Sequence, residues 1–332
     1  MKLAPDATLD PATQQAVAAA FGLGEPMDAR FVARGAMGAV NRLDTNLGRR
    51  LRYWTVKRSY WNHFTEQDIA REVDFTEECE SVGVLAPRSI QRVDGGGYVL
   101  KIDEGTTDEI QYRVLEWVDG EVGRSDDPRT IAPIAEWMAR IHSLAVDPGG
   151  RSIDEWFVRV HYDWDELTGR LARRAPDVAE LIRSRRLDIQ ELTDFVNGRP
   201  ESGAVLCHTD MGASNLVWGA SGPHLIDWEN SGPLVPRQEL GSLARSMGSF
   251  GKSAYQAYRQ AGGPEEITDV THIASSIAVH LNYLGVQAEL LLDDEHVEQH
   301  EFALDEVSGQ ARSLTNLHKL DQWVNDLQSS HP

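Results

Sequence analysis

The stretch from Val205 to Glu229 constrains the fold of this chain more than any other part of the sequence. It contains two short apolar runs, at residues 205–207 and 216–218, and a Ser-Gly-Pro segment at 221–223 separates the second run from a further strand-like segment at 224–228. Apolar runs joined by a tight turn are typical of a β-hairpin. The sequence therefore predicts a strand, a small turn-prone loop and then a hairpin within this stretch.

Three polar side chains, Asp210, Asn215 and Asp227, lie within the same stretch, in a loop and near the end of a predicted strand. Carboxylate and carboxamide oxygens are ligands that suit Mg²⁺. Phosphoryl transfer needs a carboxylate that accepts the hydroxyl proton, together with an amide and a second carboxylate that hold the metal. The alternative is a plain hairpin whose polar residues cap turns; His208 before the loop and Glu229 after Asp227 favour the functional interpretation.

The sequence His208-Thr209-Asp210, followed by Asn215 and by Ile-Asp-Trp-Glu at 226–229, resembles the aminoglycoside phosphotransferase and choline kinase families. These are small-molecule kinases with a protein-kinase-like fold. Aminoglycoside enzymes usually have glycine at the position of Thr209, whereas choline-kinase-like members tolerate other residues and often carry I-D-F/W-E. The resemblance implies that Asp210 is the catalytic base, that Asn215 and the aspartate at 227 hold Mg²⁺, and that His208 orients the loop.

Composition limits the classes of function that are open to the chain. A formal charge of −20 argues against a nucleic-acid partner. Cys79 and Cys207 form neither a disulfide framework nor a metal-ligand spacing. The acidic start of the chain is unlike a signal peptide, and no apolar run reaches the roughly 18 residues of a membrane span. We therefore expect a cytoplasmic protein with no membrane partner.

Two glycines lie between the first predicted strands. Residues 31–34 and 39–44 read as strands, and Gly35 and Gly38 between them suit a loop whose backbone closes over phosphates. A plain hairpin turn is the alternative, because the full G-x-G-x-x-G motif is absent. Residues 51–58 form the third predicted strand.

Lys57 is a basic residue in that third, largely apolar strand, where its ammonium suits the α- and β-phosphates of a nucleotide. An edge-strand lysine that faces water is the alternative. A helix is predicted from its Thr65 cap to Ser81, and Glu72 lies on it. In kinase-like folds a helix glutamate pairs with the strand lysine, so we expect a Lys57–Glu72 pair, with Glu77 and Glu78 as alternatives.

The segment Glu116-Trp117-Val118 ends the fifth predicted strand. The family resemblance implies that it is the hinge whose backbone reads the adenine edge. A bare apolar strand followed by Asp119-Gly120 would look the same.

The predicted fold class is α+β, in the two-lobed protein-kinase-like arrangement that the resemblance implies. Residues 1–117 would form a β-rich, nucleotide-binding N-lobe with one helix. Residues 118–332 would form a mainly helical C-lobe, which carries the hairpin at 205–229 and a helical insert at 151–200. Within it, His142 is expected to pack in the core and Glu239 to support the loops.

The predicted function is ATP- and Mg²⁺-dependent transfer of the γ-phosphate to a hydroxyl of a small, amine-bearing molecule, such as an aminoglycoside-type antibiotic or a related aminosugar. A metabolic choline or ethanolamine kinase is one alternative, and a nucleotide-binding pseudoenzyme that acts as a partner protein is another. The presence of Lys57, Asp210, Asn215 and Asp227 argues against the pseudoenzyme. The choice between ATP and GTP and the oligomeric state stay open.

Three features favour a cationic acceptor. Residues 260–311 contain eleven acids and no lysine or arginine, and the insert places aromatic residues among carboxylates. Glu229 follows Asp227 by two positions, so on a strand both side chains would project to the same face and Glu229 would contact the substrate. A solvated acidic helix face is the alternative interpretation of the acidic segment.

Overall fold

The computed structural model describes residues 8–34, 38–59, 65–103, 110–198 and 202–329. In these ranges the N-terminal part is rich in β-strands and the C-terminal part is mainly helical. Among the described residues, no helix combines the length and the apolar character that a membrane span requires.

The chain divides into two compact units that are not continuous in sequence. One unit comprises Leu3–Val122 together with Leu216–Glu229. The other consists chiefly of Gly123–Asn215 and Asn230–Pro332. The sequence placed the whole hairpin stretch in the C-terminal part, whereas its central strands cluster with the N-terminal unit.

An antiparallel sheet forms the body of the N-terminal unit. Strands β1, β2, β3 and β6 pair in that order, and two short strands, β4 and β5, both pair with β6. The strands are β1 (Glu25–Arg34), β2 (Gly38–Leu47), β3 (Arg50–Ser59), β4 (Ser89–Ile90), β5 (Leu100–Ile102) and β6 (Ile110–Glu116).

Two helices accompany this sheet, and both begin at a side-chain cap. Helix α1 (Pro11–Phe21) starts where Asp10 accepts hydrogen bonds from two backbone N–H groups, and proline occupies its first turn. Its apolar face packs on the sheet, with Val17 against a core that includes Val56. Helix α2 (Glu66–Ser81) starts at the Thr65 cap and has the predicted bounds.

The predicted hairpin exists but is shorter than expected. Strand β9 (Leu216–Gly219) pairs with β10 (Gly222–Leu225), and β9 also pairs with β7 (Gly120–Val122), which explains why the hairpin clusters with the N-terminal unit. Strand β10 ends at Leu225 because Asp227 has a φ of 69°, in the left-handed region where a strand cannot continue.

The first apolar run of the stretch belongs to a different sheet. Strand β8 (Val205–Cys207) pairs with β11 (Gly232–Leu234), a strand that lies beyond the hairpin in sequence. A 3₁₀ turn, Ala213–Asn215, ends the loop after β8, and a second one, Trp228–Asn230, follows β10.

Helices make up most of the C-terminal unit, and α10 packs against α4, α7, α8 and α11. The helices are α3 (Pro128–Leu144), α4 (Glu155–Val158), α5 (Trp164–Arg174), α6 (Pro176–Ser184), α7 (Arg186–Asn197), α8 (Pro236–Ser246), α9 (Gly251–Gln260), α10 (Ala274–Leu290), α11 (His300–Ser313) and α12 (Leu317–Gln328). Short 3₁₀ turns lie at Gly248–Phe250, Val270–Ile273 and Asp294–Gln299.

The predicted insert contains α4 to α7. Its buried Trp164 serves the core: the ring centroid lies 5.5 Å from that of Tyr162, and the indole N–H donates to Thr193. The structure thus assigns Trp164 to packing, which weakens one of the arguments for a cationic acceptor.

Candidate active site

The loop after β8 holds Asp210 through its neighbours in sequence. The side-chain Nδ2 of Asn215 donates to the backbone oxygen of Asp210 at 2.8 Å and to its carboxylate Oδ2 at 3.0 Å. The fully buried His208 accepts the backbone N–H of Asp210 at its Nδ1, at 3.3 Å. The carboxylate of Asp210 is solvent-exposed. The loop therefore presents one exposed carboxylate on a backbone that is fixed from both sides.

Thr209 has a φ of 67°, although it is not a glycine. The left-handed region costs an L-residue about 1–2 kcal/mol. Two hydrogen bonds hold Thr209 there: its N–H donates to Glu239, and its hydroxyl donates to the backbone oxygen of Asn230 at 2.7 Å. This conformation gives a physical reason for the glycine that the aminoglycoside enzymes usually have at this position.

Glu239 lies in a buried polar network behind the loop. One carboxylate oxygen accepts the Thr209 N–H, and the other lies 2.7 Å from Nε2 of His142. Nδ1 of His142 lies 2.9 Å from the hydroxyl of Tyr258, and burial raises the pKa of that phenol, so the hydroxyl stays protonated. Glu239 thus supports the loop as predicted, while His142 is a hydrogen-bonding member of the network and not a packing residue alone.

Cys207 adds a third potential metal ligand to this network. Its sulfur and ligand atoms of His142 and Glu239 lie within 4.8 Å of one another. Both imidazole nitrogens and both carboxylate oxygens already have hydrogen-bond partners, however. The cluster is therefore accounted for as a hydrogen-bond network.

In the N-terminal unit, Lys57 on β3 meets two carboxylates. Its ammonium forms ion pairs with Asp227 and, at 2.7 Å, with Glu229. Burial by itself lowers the pKa of Lys57, but the carboxylates of Glu229 and Asp227 outweigh burial and hold that pKa above its ordinary value. The lysine is therefore charged, and its side chain is 15% exposed.

The predicted Lys57–Glu72 pair is wrong. Both carboxylate oxygens of Glu72 accept hydrogen bonds from the guanidinium of Arg113, at 2.6 and 2.7 Å. Arg113 lies on β6 directly opposite Lys57, so two cations of the same sheet face compete for one helix carboxylate. The planar guanidinium matches both oxygens at once, whereas an ammonium is a single point charge. The sequence analysis missed Arg113, although an arginine within a largely apolar strand was a signal.

Glu229 contacts Lys57, a pairing that the sequence analysis did not predict. The expected strand alternation does not apply, since Asp227 is left-handed and residues 228–230 form a 3₁₀ turn. This turn brings the two carboxylates to the same ammonium. Trp228 between them is buried, and its indole N–H donates to Leu225 at 2.8 Å. The Glu229 carboxylate, predicted to contact the substrate, instead pairs with Lys57 in this structure.

The predicted hinge begins at the last residue of β6. The Glu116 N–H donates to the backbone oxygen of Arg88 at 2.9 Å, and its carbonyl accepts from the Thr55 hydroxyl at 3.3 Å. The guanidinium carbon of Arg42 lies 3.8 Å from the ring centroid of Tyr53 and 5.5 Å from that of Trp117. Adenine binding by Glu116-Trp117-Val118 stays a prediction.

The glycines of the first turn are only partly described. Gly38 opens β2, and the backbone oxygen of Arg58 takes the space that a side chain would fill. Gly35 lies outside the described residues. Phosphate binding by these two glycines stays a prediction.

Several residues of the acidic segment are neutralised within the C-terminal unit. Glu289 forms two hydrogen bonds with Arg170, and Asp294 pairs with Arg174 at 2.8 Å. Both arginines lie in the insert. A count of the charges within residues 260–311 therefore does not include them. Part of the segment's charge is thus used in packing α5 against the end of α10.

The family model described as the phosphotransferase enzyme family matches residues 50–271 of the chain. None of the curated protein sequences compared with the chain matches it. The matched range contains the described residues of the Lys57 cluster and of the Asp210 loop.

Solved structures resemble the chain over nearly its whole length. Spectinomycin phosphotransferase APH(9)-Ia, in complex with ADP and spectinomycin, has a TM-score of 0.67 at 13% identity, with 97% of this chain and 99% of that chain covered. The amicoumacin kinase hAmiN, in complex with AMP-PNP, Ca²⁺ and Ami, has a TM-score of 0.59 at 15% identity, with 97% of this chain and 95% of that chain covered.

A choline/ethanolamine kinase family protein from Mesorhizobium loti has a TM-score of 0.52 at 15% identity, covering 96% of this chain and 98% of that chain. At these identities the likeness establishes the fold. The predicted protein-kinase-like α+β fold, with a sheet-rich N-terminal part and a helical C-terminal part, is confirmed.

Proposed function

The chain belongs to the phosphotransferase enzyme family and is a small-molecule kinase, and we propose that it transfers the γ-phosphate of ATP, with Mg²⁺, to a hydroxyl of a small amine-bearing molecule. The observation that carries the proposal is the Asp210 loop, in which the Asn215 amide holds both the backbone and the carboxylate of Asp210. The ADP and AMP-PNP complexes of similar structures support a nucleotide substrate.

Asp210 would act on the acceptor hydroxyl. The hydroxyl oxygen attacks the γ-phosphorus, the bond from that phosphorus to the β–γ bridging oxygen breaks, and ADP leaves. The hydroxyl proton would pass to the Asp210 carboxylate, which is exposed and accepts a hydrogen bond from Asn215. Fixing the carboxylate in advance avoids the entropy loss of orienting it during the reaction.

Asn215 and Asp227 would hold Mg²⁺. The Asn215 nitrogen is engaged with Asp210, so its carbonyl oxygen is the atom left for a metal, and within the described part of the chain that oxygen accepts no hydrogen bond. Asp227 offers a partly exposed carboxylate. These hard oxygen donors fit Mg²⁺, which would neutralise charge on the transferring phosphates when bound.

Lys57 would hold the α- and β-phosphates with its charged ammonium. The backbone of Glu116-Trp117-Val118 would contact the base, and the turn with Gly35 and Gly38 would cover the phosphates. His208 would keep the Asp210 loop in its reactive conformation.

The acceptor is proposed to be an amino compound such as an aminoglycoside or an aminosugar. The net charge of −20 favours the approach of cations, an effect that salt screens. Spectinomycin and amicoumacin are the named ligands of two similar structures, and choline/ethanolamine kinase is the family of a third. Because of the choline/ethanolamine kinase family structure, a metabolic choline or ethanolamine kinase is the second candidate function.

A nucleotide-consumption screen tests this function. Purified protein is given ATP or GTP, Mg²⁺ and amino alcohols, aminosugars or aminoglycosides, each beside its N-acetylated form at two salt concentrations. We expect acceptor-dependent ADP formation that the Asp210→Asn variant lacks and that favours the free amine. Equal use of amine and N-acetyl forms removes the amine proposal, whereas nucleotide binding without transfer to any acceptor favours a pseudoenzyme.

A further inference from the structure

The two carboxylates that contact Lys57 differ in their surroundings. The Asp227 side chain is 34% exposed, whereas that of Glu229 is 11% exposed. Water screens a charge pair less when the pair is buried. Glu229 is therefore the better shielded of the two partners, and its Oε2 lies 2.7 Å from the ammonium.

Asp227 has a second proposed role as a ligand of Mg²⁺. A divalent cation and an ammonium repel each other, so metal on Asp227 weakens the hold of that carboxylate on Lys57. Lys57 then depends on its remaining partner. Glu229 can fill this role without leaving its position in the structure.

Glu72 is not available as that partner. Both of its oxygens are bound by Arg113, whose side chain is 1% exposed. Turning Glu72 toward Lys57 would strip a buried guanidinium of its carboxylate, which is strongly unfavourable. Glu72 thus stabilises Arg113, and the carboxylates that pair with Lys57 come from the segment after β10.

We propose that Glu229, and not Glu72, is the positioning residue that aims the Lys57 ammonium at the nucleotide phosphates. The inference rests on the proposed kinase function, in which Lys57 binds those phosphates. Glu229 acts only through Lys57. Its own contact with nucleotide would be repulsive, because both are anionic.

Because of this repulsion, the direction in which nucleotide affinity changes distinguishes an effect of charge from an effect of positioning. Through charge alone, loss of the Glu229 carboxylate would tighten the binding of an anionic nucleotide, whether or not Lys57 is present. Through positioning, the same loss leaves the ammonium poorly placed and weakens binding, and only while Lys57 is present. The dissociation constant of ADP in the presence of Mg²⁺, measured by calorimetry, separates the two, because metal on Asp227 would leave Glu229 as the remaining partner of Lys57.

The variants are Glu229→Gln, Lys57→Met and their combination. We expect Glu229→Gln to raise the dissociation constant about tenfold, as the loss of a charged hydrogen bond does. In the Lys57→Met background the same change should alter it by less than about twofold, because interacting residues are non-additive. Thermal unfolding of each variant verifies that it is folded.

The matched control replaces the helix pair. Glu72→Gln alone leaves a buried cation and could fail to fold, so Glu72→Leu is combined with Arg113→Met, which removes both charges from the core. We expect this double variant to bind ADP within about twofold of the parent protein. A large loss of binding in it, non-additive with Lys57→Met, would make the helix glutamate the anchor.

Other outcomes are equally decisive. Tighter binding of Glu229→Gln in both backgrounds overturns the inference while leaving the kinase assignment intact. Equal weakening in both backgrounds also overturns it, since Glu229 would then act without Lys57. If Lys57→Met binds ADP as the parent protein does, the proposed role of Lys57 fails, and the inference fails with it.

Discussion

Arg113 holds both carboxylate oxygens of Glu72, and Lys57, its direct neighbour across the strands, has no share in that carboxylate. The carboxylate that pairs with Arg113 comes from helix α2, whereas those that pair with Lys57 come from the segment after β10. A kinase-like sheet can therefore keep its lysine and its helix glutamate without pairing them with each other.

This relationship predicts that Glu72 matters for stability. Glu72→Gln should lower the free energy of unfolding by roughly 3–5 kcal/mol, because it leaves the buried Arg113 guanidinium without an anion. Chemical denaturation measures the change. Glu77→Gln, at an exposed position of the same helix, is the control and should be near neutral. A loss below about 1 kcal/mol for Glu72→Gln would mean that water replaces the carboxylate.

The proposed mechanism predicts that Asp210→Asn abolishes most turnover and leaves nucleotide binding nearly unchanged. Proton acceptance by a placed side chain contributes about 10²–10⁴-fold to a rate. Because this contribution arises in the transition state, kcat should fall while the dissociation constant of Mg·ATP stays constant. Steady-state kinetics and calorimetry provide the two values. Near-normal kcat would exclude Asp210 as the base.

Metal binding predicts a different defect for Asp227→Ala. The Mg²⁺ concentration that gives half-maximal ATP binding should rise, and Asn215→Ala should raise it less, because an amide oxygen carries no net charge. The metal-free dissociation constant of ADP should be reported beside it, since Asp227 also contacts Lys57. An unchanged Mg²⁺ dependence in Asp227→Ala would remove this residue from the metal site.

The network behind the loop predicts an effect of Glu239→Gln at a distance from substrate. An amide nitrogen would replace one of two oxygens that face the Thr209 N–H and His142, leaving one of these groups poorly paired. We expect a loss of about 1–3 kcal/mol in stability and a fall in kcat. Adding Thr209→Gly should recover part of both, because glycine adopts the left-handed conformation without that hydrogen bond. If Thr209→Gly restores neither stability nor kcat, Glu239 does not act through the backbone of residue 209.

The burial of His280 predicts that this residue makes the free energy of unfolding sensitive to acid. Desolvation lowers its pKa below the ordinary 6.5, with a further lowering by Arg245, while the hydrogen bond to Gln310 opposes the shift. The unfolded chain therefore binds the proton more readily, and stability is lost as the pH falls below about 6.5. His280→Gln should make unfolding free energy less dependent on pH between about 7 and 5. Chemical denaturation at a series of pH values measures this slope, and an unchanged slope in His280→Gln would contradict the prediction.

Local signals predicted much of the fold. The Thr65 cap located the start of α2, because capping depends on residues within one helical turn. The Asp210–Asn215 arrangement was equally accessible, since both residues lie in one short loop. Glu72 was placed on the correct helix but given the wrong partner.

The errors arose where distant segments decide the structure. The partner of Glu72 depends on which β6 residue lies opposite Lys57, a register that no local pattern reveals. The end of β10 depends on the left-handed Asp227, for which a non-glycine residue provides no signal. The partners of the acidic segment, such as Arg170 for Glu289, lie 119 residues away in sequence.

The division of the chain has a consequence for its synthesis. The N-terminal unit includes Leu216–Glu229, so it cannot be completed until the ribosome has passed the whole insert. Lys57 and Asp227 are 170 residues apart, and at typical rates of about 5–20 residues per second the lysine waits roughly 10–35 s for its carboxylates. During that interval the sheet lacks the ion pairs of Lys57 with Asp227 and Glu229. The nascent chain should therefore be more sensitive to protease at strands β1 to β3 than the finished protein, until residues 216–229 have left the ribosome.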